Sequence, residues 1–259
     1  MSDKPLVSII TPSYNQGKFL EETILSVLNQ DYENIEYILV DGGSSDNTRE
    51  VIKKYQDRFA WWVSEKDQGQ TDAINKGFSH AKGEILAWIN SDDVYAPGAV
   101  RMAVEALQQY PQAGMVYADL DFIDEHGNTI GRFNAAQTDL PKLKRGFVHI
   151  PQPCTFLRAD LWRRVGPLDP SFFFAMDYDL WTRLAAITQF KYLPGTVWAK
   201  FRLHSDAKTV NADERCWPDM LRVHYRDGGS RLAPIVFKYW LRKLAAPYLN
   251  WKRKRMFKA

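Results

Sequence analysis

Short apolar runs alternate with segments of helical periodicity along the first 110 residues, and this alternation constrains the fold more than any other feature. The runs have strand length and end abruptly in polar residues; they cover 6–10, 35–40 and 85–89. Runs this short and apolar suit strands that are covered on both faces, as in a parallel sheet. We therefore expect an α/β fold in which helices flank a mostly parallel, Rossmann-like central sheet.

The third run is followed by Asn90 to Asp93, which puts two adjacent carboxylates, Asp92 and Asp93, at a strand end. Ligands of open α/β sheets gather at the carboxyl ends of such strands. Neighbouring carboxylates repel each other there unless a positive group lies beside them. A divalent metal that carries a phosphorylated ligand is the simplest such group, because hard cations prefer oxygen ligands. The alternative is a solvent-facing turn followed by a helix cap.

Polar loops also follow the first two runs, at Thr11 to Asn15 and at Asp41 to Asp46. The three loops emerge on one edge of a parallel sheet, so that one crevice could hold a base, a ribose and a diphosphate. Gly42 and Gly43 let a ligand approach the backbone closely, whereas the residues from Ser44 to Asp46 can simply cap the next helix. Neither a dinucleotide fingerprint nor a P-loop is present, which disfavours a dinucleotide oxidoreductase or an ATPase.

Composition is that of a globular protein in a reducing compartment. The chain has 259 residues and two cysteines, which form neither a disulfide framework nor a zinc site. No signal peptide is visible, and no run approaches the roughly 18 apolar residues that a membrane helix needs. We expect a cytoplasmic protein that can also lie at the inner face of the cell membrane.

Positive charge is concentrated at the C-terminus, where 231–259 holds nine Lys or Arg residues and no Asp or Glu. Since the whole chain carries +3, the other 230 residues carry −6. We predict a domain over 1–210 and a basic, aromatic helical extension over 211–259. Such an extension suits an anionic membrane surface; the alternative is a helix docked on the body with a solvated basic tail.

Three segments together resemble the signature loops of family 2 glycosyltransferases of the GT-A fold: Val7 to Asn15, Asp41 to Thr48 and Asn90 to Asp93. Their order and spacing also match, and the resemblance covers about residues 5–205. It implies an inverting enzyme that moves a sugar from a nucleotide-diphosphate donor, which we expect to be a UDP-sugar, to a hydroxyl. The acceptor would be a glycan or a lipid-linked sugar in surface polysaccharide assembly.

The resemblance also implies roles for the loop residues. Contacts with the donor would come from Thr11, Pro12, Tyr14, Asn15, Asp41, Asn90 and Asp92. Asp93 would hold Mn²⁺ or Mg²⁺, a Lewis acid for the departing diphosphate. His204 would close over the metal or the diphosphate, although a lone histidine is equally an ordinary core or surface residue.

The segment from Phe174 to Trp181 resembles the family segment that carries a paired Glu-Asp at a helix start. Met176 stands at the Glu position and Asp177 at the Asp position, which makes Asp177 the predicted general base. One base suits a single displacement with inversion and needs no covalent nucleophile. The alternative is an ordinary helix-start carboxylate, and the rival acid Asp179 is expected to face away or to pair with Arg183.

Three further residues are weaker candidates. Asp72 lies in a segment that resembles the donor-contact helix, but Ile74 stands where many members have a basic residue. Asp72 would act near the base or ribose, or would only favour the helix start. Gln152 and Trp181 are candidates for the acceptor side, whereas Trp61, Trp62 and Trp88 are assigned to packing.

Two other functions compete with this interpretation. A nucleotidyltransferase shares the sheet and the acidic metal site, but it usually has a Gly-rich loop with a basic residue after the first strand. A non-enzymatic nucleic-acid-binding module would use the basic tail and bind oligonucleotides in a salt-sensitive way. The acidic body argues against that module, so we expect no nucleic-acid partner.

Overall fold

The computed structural model describes residues 2–205 and 213–256, and side chains within 2–205 and 216–246. The strands of this part are β1 (Val7–Ser13), β2 (Ile35–Asp41), β3 (Trp61–Ser64), β4 (Ile85–Trp88), β5 (Val94–Tyr95), β6 (Ala113–Ile123), β7 (Thr129–Phe133), β8 (Thr155–Arg158) and β9 (Gln189–Arg202). The α-helices are α1 (Gly17–Leu28), α2 (Thr48–Tyr55), α3 (Gln70–His80), α4 (Ala99–Gln109), α5 (Leu140–Lys144), α6 (Ala159–Val165), α7 (Met176–Ala185), α8 (Asp213–Arg226) and α9 (Pro234–Met256).

One sheet runs through the molecule in the order β3-β2-β1-β4-β8-β6-β9-β5, with β7 paired to β6. The first four strands are parallel, as the alternation of strands and helices predicts. β8 then runs antiparallel to both β4 and β6, while β6 and β9 are parallel to each other. The α/β fold class is therefore confirmed, and the sheet mixes parallel and antiparallel pairs, with the parallel pair of β6 and β9 lying outside the N-terminal half.

The first strand is longer than expected. Its apolar run ends at Ile10, but β1 continues to Ser13, because the residues after Ile10 also pair with β2 and are buried. The register pairs Ser13 with Asp41 and Asp41 with Ser64. The ends of β1, β2 and β3 are thus level, which brings their loops to one edge.

Core residues divide between the two faces of the sheet. Adjacent strand residues such as Ile9 and Ile10 belong to different apolar clusters, because side chains alternate across a strand. One face packs against α1 and α4, and the other packs against α3, α6 and α7. Helices on both faces explain why these strands read as continuous apolar runs.

The C-terminal helices extend from this body. The predicted boundary at 210 lies outside the described residues, and α8 begins at Asp213. α9 begins at Pro234 and packs its first turn on α8 through Ile235 and Val236. Within the described ranges, no helix combines the length and the apolar character needed to cross a bilayer.

Candidate active site

A cleft of about 930 Å³ opens at the carboxyl ends of β1, β2 and β4. Six of the residues proposed from the sequence line it: Pro12, Tyr14, Asn90, Asp92, Gln152 and Asp177. Polar residues from the loops around these strands form one part of the wall, including Gln16, Gly42, Gly43, Lys66, Asp67 and Gln70. Apolar residues form another part, including Leu120, Phe122, Phe133, Val148, Phe201 and Leu203. The cleft therefore joins the strand ends to Asp177, which comes from a distant part of the chain.

Asp92 is the acid of the strand-end pair that faces this cleft. Its Oδ2 atom lies 3.0 Å from Nε2 of His204, and the His204 ring packs against Phe19 at 4.7 Å. Two donors at adjacent corners of an octahedron with bonds of about 2.1 Å are also about 3 Å apart. The 3.0 Å spacing is that of a hydrogen bond and would also suit a divalent cation held by one carboxylate oxygen and one imidazole nitrogen. His204 itself is buried and is not among the residues that line the cleft. Among the described residues no cluster of three or more His, Cys, Asp or Glu occurs, so a bound phosphate would have to supply further oxygens.

Asp93 has a different environment from the one that the sequence predicts. Its side chain is fully buried, with one oxygen accepting from Arg202 N at 3.1 Å and the other from Asn90 Nδ2 at 3.2 Å. Burial and the nearby charge of Asp92 raise the pKa of Asp93 well above its usual range. Metal binding by Asp93 stays a prediction; in this structure its carboxyl group supports the loop, while Asp92 faces the cleft.

Arg202 is a site residue that sequence reasoning missed. Its side chain is buried; Nε donates to the Asp92 carbonyl at 3.0 Å, and Nη1 donates to two loop carbonyls at 3.2 Å. Its guanidinium also pairs with Glu22 on α1. Arg202 thus fixes the acidic loop from the end of β9. Its position two residues before His204 is the one signal in the sequence that could have identified it.

Two predicted donor contacts lie beneath the cleft. Asp41 is fully buried and accepts from Ser44 N at 3.0 Å and from Ser64 Oγ at 2.6 Å. Thr11 is also fully buried and shares a hydrogen bond of 3.0 Å with Tyr37 Oη. In the structure these two side chains are therefore hydrogen-bonded within the protein and do not line the cleft. They hold the strand ends together below the residues that do line the cleft.

The glycines after Asp41 form the cleft wall instead. A Cβ atom on Gly42 would lie 2.8 Å from Oδ2 of Asp67, and Gly43 has a φ of +81° that favours glycine. Lys66 lines the cleft next to them and brings a cation to this wall. Lys66 is therefore a candidate for contact with an anionic ligand at this wall.

Asn15 and Asp72 lie outside the set of residues that line the cleft, and their donor contacts stay predictions. Asn15 adopts a positive φ of 51°, and its Oδ1 accepts from Ser45 N at 2.8 Å. Asp72 accepts from Gln68 N at 3.1 Å in the first turn of α3. The second contact matches the alternative in which Asp72 stabilises a helix start.

Asp177 lies in the first turn of α7 and lines the cleft. Met176, at the position where a Glu was expected, accepts a hydrogen bond from Thr71 Oγ1 at 2.9 Å. Asp179 is fully buried and pairs with Arg183 at 2.7 Å, which confirms that it does not compete for the cleft. Of the acids on α7, Asp177 is thus the one that can reach a ligand.

The two acceptor-side candidates have different outcomes. Gln152 lines the cleft, and its Nε2 donates to the carbonyl of Trp88 at 2.8 Å. Trp181 was predicted wrongly: its ring is fully buried and stacks on Trp88 at 5.8 Å. Position 181 lies one turn after Asp177 on nearly the same side of α7, at a level where the helix packs against the buried Trp88 of β4. The assignment of Trp88 to packing is confirmed.

Fold and cleft together define a GT-A type transferase, and the sequence comparisons agree. A family model described as "Glycosyl transferase family 2" matches residues 8–180. The chain therefore belongs to the family 2 glycosyltransferases.

Relatives come from several bacteria. An uncharacterized glycosyltransferase of Rickettsia typhi is 32% identical over 217 residues, which cover 80% of this chain and 66% of the relative. One from Mycobacterium tuberculosis is 32% identical over 192 residues, which cover 73% of this chain and 72% of the relative. A third, from Rickettsia felis, is 31% identical over 82% of this chain but only 37% of its own length. The chain thus spans less than two thirds of several relatives.

Solved structures show the same fold. S. aureus TarS 1-349 in complex with UDP-GlcNAc has a TM-score of 0.68 and 16% identity, over 93% of this chain and 73% of that one. The mannosyltransferase PcManGT from Pyrobaculum calidifontis, in complex with GDP-Man and Mn²⁺, has a TM-score of 0.67 and 20% identity. That match covers 95% of this chain and 72% of the mannosyltransferase chain. At these identities the likeness establishes the fold alone.

Proposed function

We propose that this enzyme transfers a sugar from a nucleotide-diphosphate donor to an acceptor hydroxyl with inversion at the anomeric carbon. The observation that carries the proposal is the single cleft that contains Asp92 at one strand end and Asp177 on α7. The acceptor oxygen forms its bond to the anomeric carbon as the bond to the diphosphate oxygen breaks. Asp177 takes the proton of the acceptor hydroxyl. No enzyme nucleophile is needed for one displacement.

Asp92 and His204 are the residues that would hold Mn²⁺ or Mg²⁺. When bound, the cation would supply Lewis-acid stabilisation of the departing nucleoside diphosphate. Arg202 and Asp93 keep the acidic loop in place from below. Lys66 adds positive charge on the wall that is formed by Gly42 and Gly43, where a diphosphate can approach the backbone.

We further propose a UDP-sugar as the donor and a glycan or lipid-linked sugar as the acceptor, in surface polysaccharide assembly. TarS, which shares the fold, is solved in complex with UDP-GlcNAc, whereas the mannosyltransferase is solved in complex with GDP-Man, so the nucleobase has to be tested directly. The apolar part of the wall, which includes Phe122 and Phe201, suits the apolar faces of sugar rings. The basic segment 231–259 supports work at the cytoplasmic face of an anionic membrane.

A thermal-shift panel of nucleotide sugars with and without Mn²⁺ tests the donor and the metal together. Ligands that bind only the folded state raise the melting temperature by mass action. We expect one nucleotide class to raise it, and only when the metal is present. A flat response to all nucleotide sugars would contradict the proposal. Stabilisation by guanosine compounds alone would show that the donor carries guanine and not uracil.

Replacing Asp177 by Asn tests the assigned base. We expect the transfer rate to fall about a hundredfold or more, because general-base catalysis typically contributes at least that factor. Donor binding and the melting temperature should stay near those of the native enzyme. Asp160→Asn is the matched control, since Asp160 is an exposed acid in the first turn of α6. Equal activity of the two variants would remove Asp177 from the mechanism.

A further inference from the structure

Helix α9 presents four large apolar side chains to solvent on one side. Phe237 is 56% exposed, Trp240 54%, Leu241 67% and Leu244 78%. At about 100° per residue these four positions fall within an arc of about 100°. We call this set the α9 apolar face.

Buried contacts in the first turn of α9 fix the direction of this face. Ile235, which lies opposite the α9 apolar face, and Val236, which lies at its edge next to Trp240, are buried and pack on Trp217, Met220 and Leu221 of α8. Ile235 also reaches the body, because a Cβ atom on Gly146 would lie 2.4 Å from it. The α9 apolar face therefore cannot turn inward without breaking these contacts, and its exposure is built into the way the helix docks.

Positive residues flank the α9 apolar face on both sides. Lys243 Nζ lies 5.3 Å from the Trp240 ring, and Lys238 Nζ lies 5.3 Å from the ring of Phe147. Arg242, one turn from Lys238, stacks on Trp217 at 5.6 Å. No Asp or Glu occurs anywhere in 231–259. The pattern is an apolar stripe between cationic margins.

We propose that the α9 apolar face lies in the interface of an anionic lipid bilayer. Leu241 and Leu244 would enter the acyl boundary, Trp240 would lie at headgroup depth, and the flanking lysines would reach anionic headgroups. Burial of apolar area supplies one part of the affinity, and attraction to the anionic surface supplies the other. The proposal rests on the proposed function in one respect, since a lipid-linked acceptor would lie in the same membrane. Lipid binding by the α9 apolar face does not require catalytic turnover.

A second copy of the chain suits this face less well. A symmetric dimer would place the same surface of two molecules together, and cationic margins would then meet cationic margins. An anionic bilayer complements the apolar stripe and both margins at once.

Vesicle flotation with the full chain tests the proposal. The probes are vesicles of phosphatidylcholine alone and of phosphatidylcholine mixed with anionic phosphatidylglycerol. We expect binding to the mixed vesicles that is about tenfold or more stronger than to the neutral ones and that weakens at high salt. The variant Leu241→Glu/Leu244→Glu should lose about tenfold or more of this binding.

Ile130→Glu is the matched control, because Ile130 is 56% exposed but lies on β7, away from α9. It should bind vesicles like the native chain, and both variants should keep their melting temperatures and their response to nucleotide sugars. Equal binding by the native chain and the α9 variant would overturn the proposal. Absence of vesicle binding together with a dimer that the α9 variant dissociates would also overturn it and make a second copy the occupant. A failed nucleotide response with intact flotation would instead count against the proposed enzyme function.

Discussion

Asp92 and Asp93 are neighbours in the chain, but the fold gives them different tasks. Asp92 faces the cleft beside His204, whereas Asp93 is buried with both oxygens hydrogen-bonded. We expect Asp92→Asn to abolish metal-dependent binding of the nucleotide sugar. Asp93→Asn keeps an oxygen acceptor for Arg202 N and should weaken that binding only about tenfold, as changes behind a metal ligand commonly do.

Isothermal titration with the nucleotide diphosphate, with and without Mn²⁺, measures both variants. Melting curves without ligand provide the control, since neither substitution should unfold the chain. If Asp93→Asn removed metal-dependent binding while Asp92→Asn kept it, the assignment of the two carboxylates would have to be reversed.

The acidic strand end could be recognised from the sequence, but the direction of each side chain could not. An apolar run that stops at two carboxylates is a local pattern, visible in a few residues. Which carboxylate faces the cleft depends on the loop after β4, and Arg202, more than a hundred residues later, fixes that loop. Lys66 escaped notice for a similar reason, because its place in the cleft depends on how β2 and β3 align.

At the scale of elements, Asp46 joins the starts of α1 and α2. Its carboxylate accepts from Gly17 N and Thr48 N, both at 3.0 Å. Burial alone would raise the pKa of Asp46, but the hydrogen bonds from Thr48 and Gly17 outweigh it and lower the pKa overall. We expect Asp46→Ala to lower the free energy of unfolding by about 1 kcal/mol near neutral pH, a usual value for a lost cap.

The difference in the free energy of unfolding between Asp46→Ala and the native chain should become smaller as the pH falls. A carboxyl with a lowered pKa in the folded state stabilises fully above its unfolded pKa, and this contribution disappears as the pH falls through the folded value. Urea unfolding at neutral and at acid pH should therefore show the gap closing in acid. A gap that widened in acid would contradict the assigned hydrogen bonds.

Helix α8 holds the segment that leads into α7. Asp219 Oδ2 accepts from Phe173 N at 2.8 Å and from Phe174 N at 3.0 Å, and Arg222 stacks on the Phe172 ring at 3.7 Å. Phe173 and Phe174 line the cleft next to Asp177. We expect Asp219→Ala to lower kcat/KM for the acceptor about tenfold, because the segment loses its anchor and the base its position.

Asp219→Asn separates positioning from a general loss of stability. Asn keeps an oxygen that can accept from both amides, so its kinetics should stay near those of the native enzyme. Donor affinity should be unchanged in both variants, since the strand-end loops are not touched. A fall in donor affinity that equals the fall in acceptor kcat/KM would show that α8 does not act on the acceptor side alone.

Individual helices and strands were easier to predict than the pairing between strands. The helix over 71–81 and the strand over 85–89 follow from local periodicity, and both appear with ends shifted by a residue. The insertion of β8 between β4 and β6, and of β9 beside β6, depends on pairing across long stretches of chain. Trp181 was misplaced for a related reason, since the face of α7 that meets the sheet is set by those pairings.

At the scale of the whole molecule, the parallel half supplies the strand-end loops, and the later half supplies the proposed base and the residues behind the proposed metal site. Both halves of the cleft depend on residues far along the chain, such as His204 and Arg202. The predicted division at 210 separates α8 and α9 from this body. The contacts of α8 with the body predict that the body and the extension stabilise each other.

Removal of the extension tests this dependence. In a chain that ends at residue 210, the fully buried Asp179 would lose its ion pair with Arg226 and keep only Arg183. The core would also lose Val223, which is fully buried and belongs to the apolar cluster that includes α7 residues. A weakened buried ion pair and an apolar cavity each destabilise, so we expect the free energy of unfolding to fall by about 3 kcal/mol or more.

A chain that ends at residue 246 is the control, because it keeps α8 and the first half of α9 with Ile235 and Val236 in place. Its unfolding free energy should stay within about 1 kcal/mol of the native value, as for changes outside the core. Urea denaturation of the three chains measures the differences. If the chain ending at 210 unfolded at the native midpoint, Asp179 would have to be satisfied by Arg183 alone, and the extension would be an independent unit. If it unfolded early, α8 would belong to the folding unit that positions Asp177.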